Sequence, residues 1–190
     1  MGLLSRQCLD EMGFASVGAR VRISDKASFY DCGNISIGDD VRIDDFCVLS
    51  AGPGGIFIGK HVHVAVFSSL IGAERIVLED FSNISSRVSI YSNTDDFSGE
   101  CMTNPTIPER FVNVRKAAVV VGRHVVIGAG TVILPGVTLG EGVAVGALSL
   151  VKDDLEDFGV YAGIPVRYIR PRSRKVLEVE KEFMAQRAVW

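Results

Sequence analysis

A hydrophobic side chain returns at every sixth residue along most of this 190-residue chain. In the uninterrupted run VVVGRHVVIGAGTVILPGVTLGEGVAVGALSLV, from 119 to 151, every hexad position is aliphatic. Upstream, the same spacing holds in four groups of three, separated by slips of a few residues. The hexad positions are Val17, Ile23 and Phe29; Ile37, Ile43 and Leu49; Ile58, Val64 and Leu70; Leu78, Ile84 and Ile90; and Val121, Ile127, Ile133, Leu139, Val145 and Val151.

This period of six excludes the commonest secondary structures as the repeating unit. A helix repeats every 3.6 residues, and a strand alternates every two. A period of six residues is explained by short strands, each with two side chains that point inward and each followed by a turn. Three such strands close one coil, and stacked coils bury a hydrophobic column that no single coil could bury alone. The sequence therefore predicts an all-β fold, a parallel β-solenoid of triangular section.

The turns of this solenoid have their own sequence signal, three residues after the hexad position. Glycine dominates there, together with residues that tolerate left-handed backbone. The pattern predicts a positive φ at these positions, and two histidines share it. The set is Arg20, Asp40, His61, His124, Gly130, Gly136 and Gly142.

Two segments depart from the repeat. The polar stretch from 91 to 118 has no hexads, so it predicts a loop that protrudes from one corner. Near the end, Val176, Val179 and Phe183 recur at helical spacing among charges and predict an amphipathic α-helix over 174–187. A second short helix is expected within 3–13. We divide the chain into a solenoid domain, 1–170, and a helical tail, 171–190.

Composition narrows the class of protein further. The formal net charge of −3 gives no overall attraction to nucleic acid, and no apolar run approaches the ~18 residues that membrane insertion requires. The four cysteines lack metal-site or redox spacing, so reduced thiols are expected. We expect a cytoplasmic protein that binds neither nucleic acid nor a bilayer.

The repeats resemble the [LIV]-G-x-x-x-x motif of the hexapeptide-repeat acyltransferases. The stretch from 119 to 154 followed by YAGIPVRYIR is similar to the sugar O-acetyltransferase branch, which includes galactoside and maltose acetyltransferases. The resemblance covers residues 17–170. It implies a left-handed β-helix, a homotrimer, and acetyl-CoA as co-substrate without a metal. The handedness rests on the resemblance alone, because parallel crossovers are right-handed in about 98% of cases.

The resemblance also directs attention to the excursion, by which we mean residues 91–118. In the resembled family this loop reaches an adjacent subunit, forms the acceptor site and carries a catalytic histidine. No histidine lies between 90 and 118 here, and alignment of VSIYSNTDD (88–96) places Asp95 or its neighbours at that point. The catalytic candidates are therefore Asp95, Asp96 and His124, the last in the first turn after the excursion returns. The aspartates are equally compatible with orienting a base, binding sugar hydroxyls or capping the loop.

Other polar residues are candidates for binding the acceptor. Tyr91 and Asn93 begin the excursion. His63 is the middle residue of a strand and points outward, and counting by sides puts Asn83 on the same face, one coil away at about 4.8 Å. Ordinary exposed polar surface accounts for His63 and Asn83 equally well.

The resemblance also implies which residues bind the acyl donor, acetyl-CoA. Coenzyme A carries phosphates that require cations, and equivalents of Lys152, Arg167 and Arg170 bind it in the resembled family. The backbone at Ala129 and Ala147 is expected to contact the pantetheine arm, because small side chains let that arm approach closely.

These observations predict a coenzyme A-dependent acetyltransferase that acts on a sugar hydroxyl, or on the amino group of a nucleotide sugar, in surface polysaccharide assembly. An amine that arrives deprotonated needs less help from a base, which keeps N-acetylation open.

Two alternatives belong to other classes of protein. One is a zinc enzyme like the γ-carbonic anhydrases, using His61, His63 and His124. The other is a catalytically silent trimeric scaffold.

Overall fold

The computed structural model describes residues 2–187, whose backbone winds through three flat faces. Each coil gives one short strand to each face, and strands of successive coils pair in parallel. The coils form a left-handed parallel β-helix of triangular section, so the predicted fold class is confirmed.

The strands of each face are as follows. The first face contains β1 (Ser16–Val17), β4 (Ile35–Ile37), β7 (Ile56–Ile58), β10 (Ile76–Leu78), β15 (Val119–Val121) and β18 (Thr138–Leu139). The second contains β2 (Arg22–Ile23), β5 (Arg42–Ile43), β8 (His63–Val64), β11 (Asn83–Ile84), β16 (Val126–Ile127), β19 (Ala144–Val145), β21 (Gly159–Gly163) and β22 (Val166–Pro171). The third contains β3 (Ser28–Tyr30), β6 (Val48–Ala51), β9 (Ser69–Gly72), β12 (Ser89–Tyr91), β17 (Val132–Ile133) and β20 (Leu150–Val151).

The three edges of the prism are called corners here. The first corner, between the first and second faces, includes Asp40, His61, Phe81 and His124. The second corner, between the second and third faces, includes Phe46, Phe67, Arg87 and Leu148. The third corner, from the third face back to the first, carries the excursion.

The hexad residues stack as the count predicts. On the first face Ile58 is in register with Leu78, and Leu78 with Val121. Nearly all hexad side chains are buried, and together with their i+4 partners they form one continuous column. Burying this column against water is the main favourable term for the fold, since no coil could stand alone.

The turn signal is confirmed as well. Every residue of the predicted set has a positive φ, including His61 at 56° and His124 at 58°. The glycine that follows many hexad positions has a different cause, close stacking of coils. A Cβ added at Gly128 would collide with the backbone of Ala147 in the next coil.

The excursion leaves the third corner after β12 and returns at β15, within the predicted range 91–118. Its stem is a two-stranded antiparallel ribbon, β13 (Asn93–Thr94) and β14 (Arg115–Lys116). A short 3₁₀ turn, Glu109–Phe111, lies in its outer part. The ribbon therefore sets the point from which Asp95 and the outer part of the excursion extend.

Helices cover parts of both ends. The first helix, α1 (Arg6–Glu11), buries Leu9 against the first coil, within the predicted 3–13. The second helix, α2 (Val176–Arg187), falls within the predicted 174–187 and packs on the first corner of its own chain. The boundary at residue 170 stays an interpretation, and residues 188–190 of the tail lie outside the described residues.

Two further expectations concern the described residues as a whole. All four cysteines carry free thiols in this structure, and burial raises the pKa of Cys47 to about 11. Between residues 2 and 187, neither helix has the length and apolarity needed to cross a membrane.

Candidate active site

His124 lies in a stack of rings at the first corner. Its imidazole is nearly parallel to Phe81, with ring centroids 5.1 Å apart, and Phe81 stacks in turn on His61 at 5.0 Å. The stack forms because successive coils place a ring at the same left-handed turn position. Phe183 of α2 meets His61 and Phe81 edge-on, so the helix covers the stack.

Polar contacts also fix His124 to the tail. Its Nε2 lies 2.7 Å from a carboxylate oxygen of Glu180, which also pairs with Arg123. The guanidinium of Arg172 donates to the carbonyl oxygen of His124 at 2.8 Å. Burial lowers the pKa of His124, with the positive charge of Arg123 acting in the same direction. The imidazole is 6% exposed and belongs to the attachment of α2.

This position separates His124 from the excursion within one chain. His124 lies between β15 and β16 at the first corner, whereas the excursion lies between β12 and β15 at the third. The turn after the excursion's return therefore faces a different edge of the prism. The structure does not bring His124 together with Asp95 and Asp96, and its role as a base stays a prediction.

His63 and Asn83 are neighbours on the second face, as the count by sides predicts. They are in register on adjacent strands, with His63 Nδ1 3.2 Å from Asn83 Oδ1. The other ring nitrogen lies 2.8 Å from Asp44, whose second oxygen accepts a hydrogen bond from Arg42 Nε at 2.6 Å. Burial disfavours ionisation of Asp44, but the hydrogen bonds from His63 and Arg42 outweigh it and lower its pKa. Four side chains thus form one network.

The two aspartates of the excursion differ in their surroundings. Asp96 accepts hydrogen bonds from the hydroxyl of Ser98, at 2.8 and 2.9 Å, and from the backbone of Cys101, and the Ser98 bond is the main cause of its lowered pKa. It therefore shapes the loop. Asp95, directly after the ribbon, is exposed and has no partner among residues 2–187. Asp95 is the carboxylate that remains available to a ligand.

A groove of about 380 Å³ runs beside the ribbon at the third corner. Thr94 and Arg115 form one side of it, and Lys152 lies on the other. Lys152 pairs with the adjacent Asp153 at 2.8 Å, and both side chains are exposed. Tyr91 and Asn93, at the base of the excursion, are partly buried.

The remaining donor candidates lie along the later coils. Ala129 and Ala147 are exposed and occupy equivalent places at the second corner. Arg167 and Arg170 are exposed on β22, at the edge of the second face. The donor candidates are thus spread over two corners and one face at the C-terminal end of the prism.

His61 and His124 share the ring stack under α2, whereas His63 belongs to the polar network of the second face. Within residues 2–187, no group of three histidine, cysteine, aspartate or glutamate side chains is arranged to hold a metal ion. His61, His63 and His124 thus do not form such a group within the described residues.

A left-handed solenoid of hexads with one protruding loop is the architecture that resemblance to the hexapeptide-repeat acyltransferases implies. Residues 118–153 match the family model described as bacterial transferase hexapeptide (six repeats). A curated relative from Escherichia coli, a dTDP-4-amino-4,6-dideoxy-D-glucose acyltransferase, is 55% identical over 96% of this chain and 95% of its own. This chain belongs to the hexapeptide-repeat acyltransferases.

Solved structures agree over the full length. The N-acyltransferase AntD from Bacillus cereus, in complex with dTDP and 3-hydroxybutyryl-CoA, is 48% identical, with a TM-score of 0.94 and 98% of both chains covered. A variant of AntD with a serine replaced by alanine was solved with dTDP-4-amino-4,6-dideoxyglucose and coenzyme A; it covers 97% of this chain and 98% of its own, with a TM-score of 0.94. Another variant replaces an aspartate ten positions after that serine.

That spacing draws attention to a serine that sequence reasoning alone did not single out. In this chain only two pairs place an aspartate ten positions after a serine, Ser85 with Asp95 and Ser86 with Asp96. Ser85 directly follows β11 at the second corner and is partly buried. A small polar residue in a turn carries no signal of its own, so only comparison with a relative points to it.

Proposed function

We propose that this enzyme transfers an acyl group from an acyl-CoA thioester to the amino group of a dTDP-linked 4-amino-4,6-dideoxyhexose. The observation that carries the proposal is the full-length similarity to acyltransferases whose names or complexes contain that amino sugar or dTDP. Acetyl-CoA is the simplest donor, and 3-hydroxybutyryl-CoA is the acyl-CoA bound to AntD. The free thiols fit a cytoplasmic setting.

An amine acceptor explains the missing histidine better than a hydroxyl does. A hydroxyl must lose its proton as it attacks the thioester, which calls for a base placed beside it. An amine attacks through its own lone pair. The protein therefore needs only to position it, and the nitrogen loses a proton after the attack. The hydroxyl acceptor favoured by the resemblance is therefore the weaker candidate.

We assign Asp95 and Ser85 to the acceptor end of the site. Asp95 is exposed and unpaired among the described residues, whereas Asp96 is occupied by Ser98. An ionised carboxylate at Asp95 would accept a hydrogen bond from the neutral sugar amine and orient its lone pair toward the thioester carbon. Ser85 has the matching ten-residue separation, and its hydroxyl would bind the same amine or the thioester oxygen. Tyr91 and Asn93 would line the entrance from the base of the excursion.

The pair Ser85 and Asp95 also supports a homotrimer. Ser85 lies at the second corner and Asp95 at the third, with a whole face between them. We infer that they meet when the excursion of one copy reaches the second corner of the next. Ala129 and Ala147 lie at that same second corner, so the acyl-CoA arm would run beside Ser85. Lys152, Arg167 and Arg170 would bind its phosphates.

The reaction then requires few groups from the protein. The amine nitrogen attacks the thioester carbon, and the carbonyl oxygen gains negative charge that backbone N–H groups stabilise. When the tetrahedral intermediate collapses, the carbon–sulfur bond breaks and the thiolate takes up the proton released by nitrogen. The products are an amide and free coenzyme A. His124 has no part in this scheme.

The test is a transfer assay with purified enzyme, acetyl-CoA or 3-hydroxybutyryl-CoA, and dTDP-4-amino-4,6-dideoxyglucose. We expect thiol release together with a product whose mass has increased by one acyl group, and no product with the 4-hydroxy analogue. Asp95→Asn should lower kcat/KM at least 100-fold, whereas Asp96→Asn, its matched control, should mainly lower stability. Acylation of the hydroxy sugar, with no product from the amine, would contradict the proposal.

A further inference from the structure

A polar strip runs along the second face on the N-terminal side of the excursion. Arg22, Arg42, His63 and Asn83 occupy outward positions on four successive strands, each in register with the next. With coils about 4.8 Å apart, the strip is roughly 14 Å long. Above it, the same line continues with Val126 and Ala144, so the polar character ends where the donor coils begin.

The two arginines at the lower end of the strip lie side by side. Like charges at directly opposed positions of neighbouring strands repel each other. Arg22 is exposed and has no hydrogen-bond or ion-pair partner within the part of the chain that the structure describes. By contrast, Arg20 in the same coil forms two hydrogen bonds to Asp40, and Arg42 is paired with Asp44 through Nε. An anion between Arg22 and Arg42 would balance the positive charge that Arg22 leaves unpaired.

The contact that orients the Arg42 guanidinium leaves part of it available to bind an anion. Only its Nε is bonded to Asp44, which leaves the two terminal nitrogens of the guanidinium free of that contact. Asp44 is buried, with 8% of its side chain exposed, and His63 holds its other oxygen. This buried carboxylate fixes the direction of the guanidinium before any ligand arrives, and a fixed guanidinium fork matches phosphate oxygens.

We propose that Arg22 and Arg42 bind the diphosphate of the nucleotide-sugar acceptor, and that His63 and Asn83 contact its sugar. The inference rests on the proposed function and specifies which part of the chain recognises the nucleotide. Asn83 lies two residues before Ser85, so the strip leads to the acceptor end of the site. The nucleotide then lies on the coils before the excursion, and the acyl-CoA on the coils after it.

Coenzyme A also carries a diphosphate, so the experiment must separate the two sources. Isothermal titration calorimetry with dTDP and, separately, with coenzyme A on the full-length enzyme does so. Arg22→Gln should raise the Kd for dTDP about tenfold and leave the Kd for coenzyme A within twofold. Arg42→Lys keeps the charge but loses the fork, and should raise the Kd for dTDP several-fold.

Arg20→Gln is the matched control, since it makes the same charge change in the same coil, at the first corner. It should change neither Kd. An unchanged dTDP affinity in Arg22→Gln, or a loss confined to coenzyme A, would overturn the strip as the acceptor's diphosphate site while leaving the proposed function intact. Failure of the proposed function has a different signature, because the unaltered enzyme would then bind no dTDP.

Discussion

At the scale of single residues, His124 shows how one side chain can serve structure where chemistry was expected. Its left-handed turn position stacks it on Phe81, and Glu180 of α2 holds its Nε2. Four phenylalanines of this chain occupy equivalent left-handed positions, at Phe46, Phe67, Phe81 and Phe158. A ring without nitrogen atoms is therefore tolerated at such a turn.

His124→Phe should separate the structural role from a catalytic one. It keeps the ring stack but loses the hydrogen bond to Glu180, which should lower the free energy of unfolding by about 1 to 2 kcal/mol. The transfer rate per folded enzyme should stay within about twofold of the unaltered value, which is small beside the ~100-fold or larger losses that follow removal of a general base. Urea denaturation and steady-state kinetics measure the two effects.

Phe183→Ala is the companion variant, because it disturbs the attachment of α2 without touching the imidazole. If His124→Phe abolished transfer while Phe183→Ala did not, His124 would be the base that the sequence predicts. Equal and modest effects of both variants on stability alone would assign His124 to the helix contact.

At the scale of the strand and turn, two serines in equivalent slots have opposite surroundings. Ser68 and Ser82 both stand four residues after a hexad position and are fully buried. The hydroxyl of Ser68 donates to the carbonyl of Ser85 at 2.9 Å and accepts from the N–H of Val88 at 3.2 Å. The hydroxyl of Ser82 finds no partner among the described residues, and it stands between coils that carry Val62 and Val125 in the same slot.

Removing each hydroxyl should therefore have effects of opposite sign. Ser82→Ala removes an unsatisfied buried oxygen and should raise the free energy of unfolding by about 1 kcal/mol. Ser68→Ala breaks two hydrogen bonds and should lower it by about 1 to 2 kcal/mol. Chemical denaturation of both variants checks this, and a loss of stability in Ser82→Ala would indicate a partner for its hydroxyl.

These elements also show which structural features the sequence alone can predict. The hexad period predicts the faces, the inward positions and the left-handed turns, because each of these depends on local geometry repeated many times. It treats Ser68 and Ser82 alike, since a hydrogen-bond partner is set by the neighbouring coil. The contacts of His124 with Glu180, and of His63 with Asp44, join residues from separate parts of the chain. The count by sides places residues next to each other on a face, as for His63 and Asn83, but it does not determine which side chains bond.

At the scale of the whole molecule, the site we propose is incomplete in a single copy. Ser85 lies at the second corner and Asp95 follows the ribbon at the third, so one face of the prism separates their positions in a single chain. The excursion also exposes 90% of Phe97, an apolar side chain suited to contact with another copy. In the homotrimer that we propose, each excursion would reach a neighbour's second corner, and three chains of 20.5 kDa would have a mass of about 61.5 kDa.

Complementation between two inactive variants tests this arrangement. Asp95→Asn and Ser85→Ala, each assembled alone, should have little activity, because every site lacks one residue. When the two chains are co-expressed and mix at random, one site in about four joins an intact Asp95 to an intact Ser85, so about a quarter of the full activity should return. The separately assembled variants, mixed without exchange, provide the baseline. Co-assembled trimers that stay inactive would show that both residues act within one chain, since no chain in the mixture carries both.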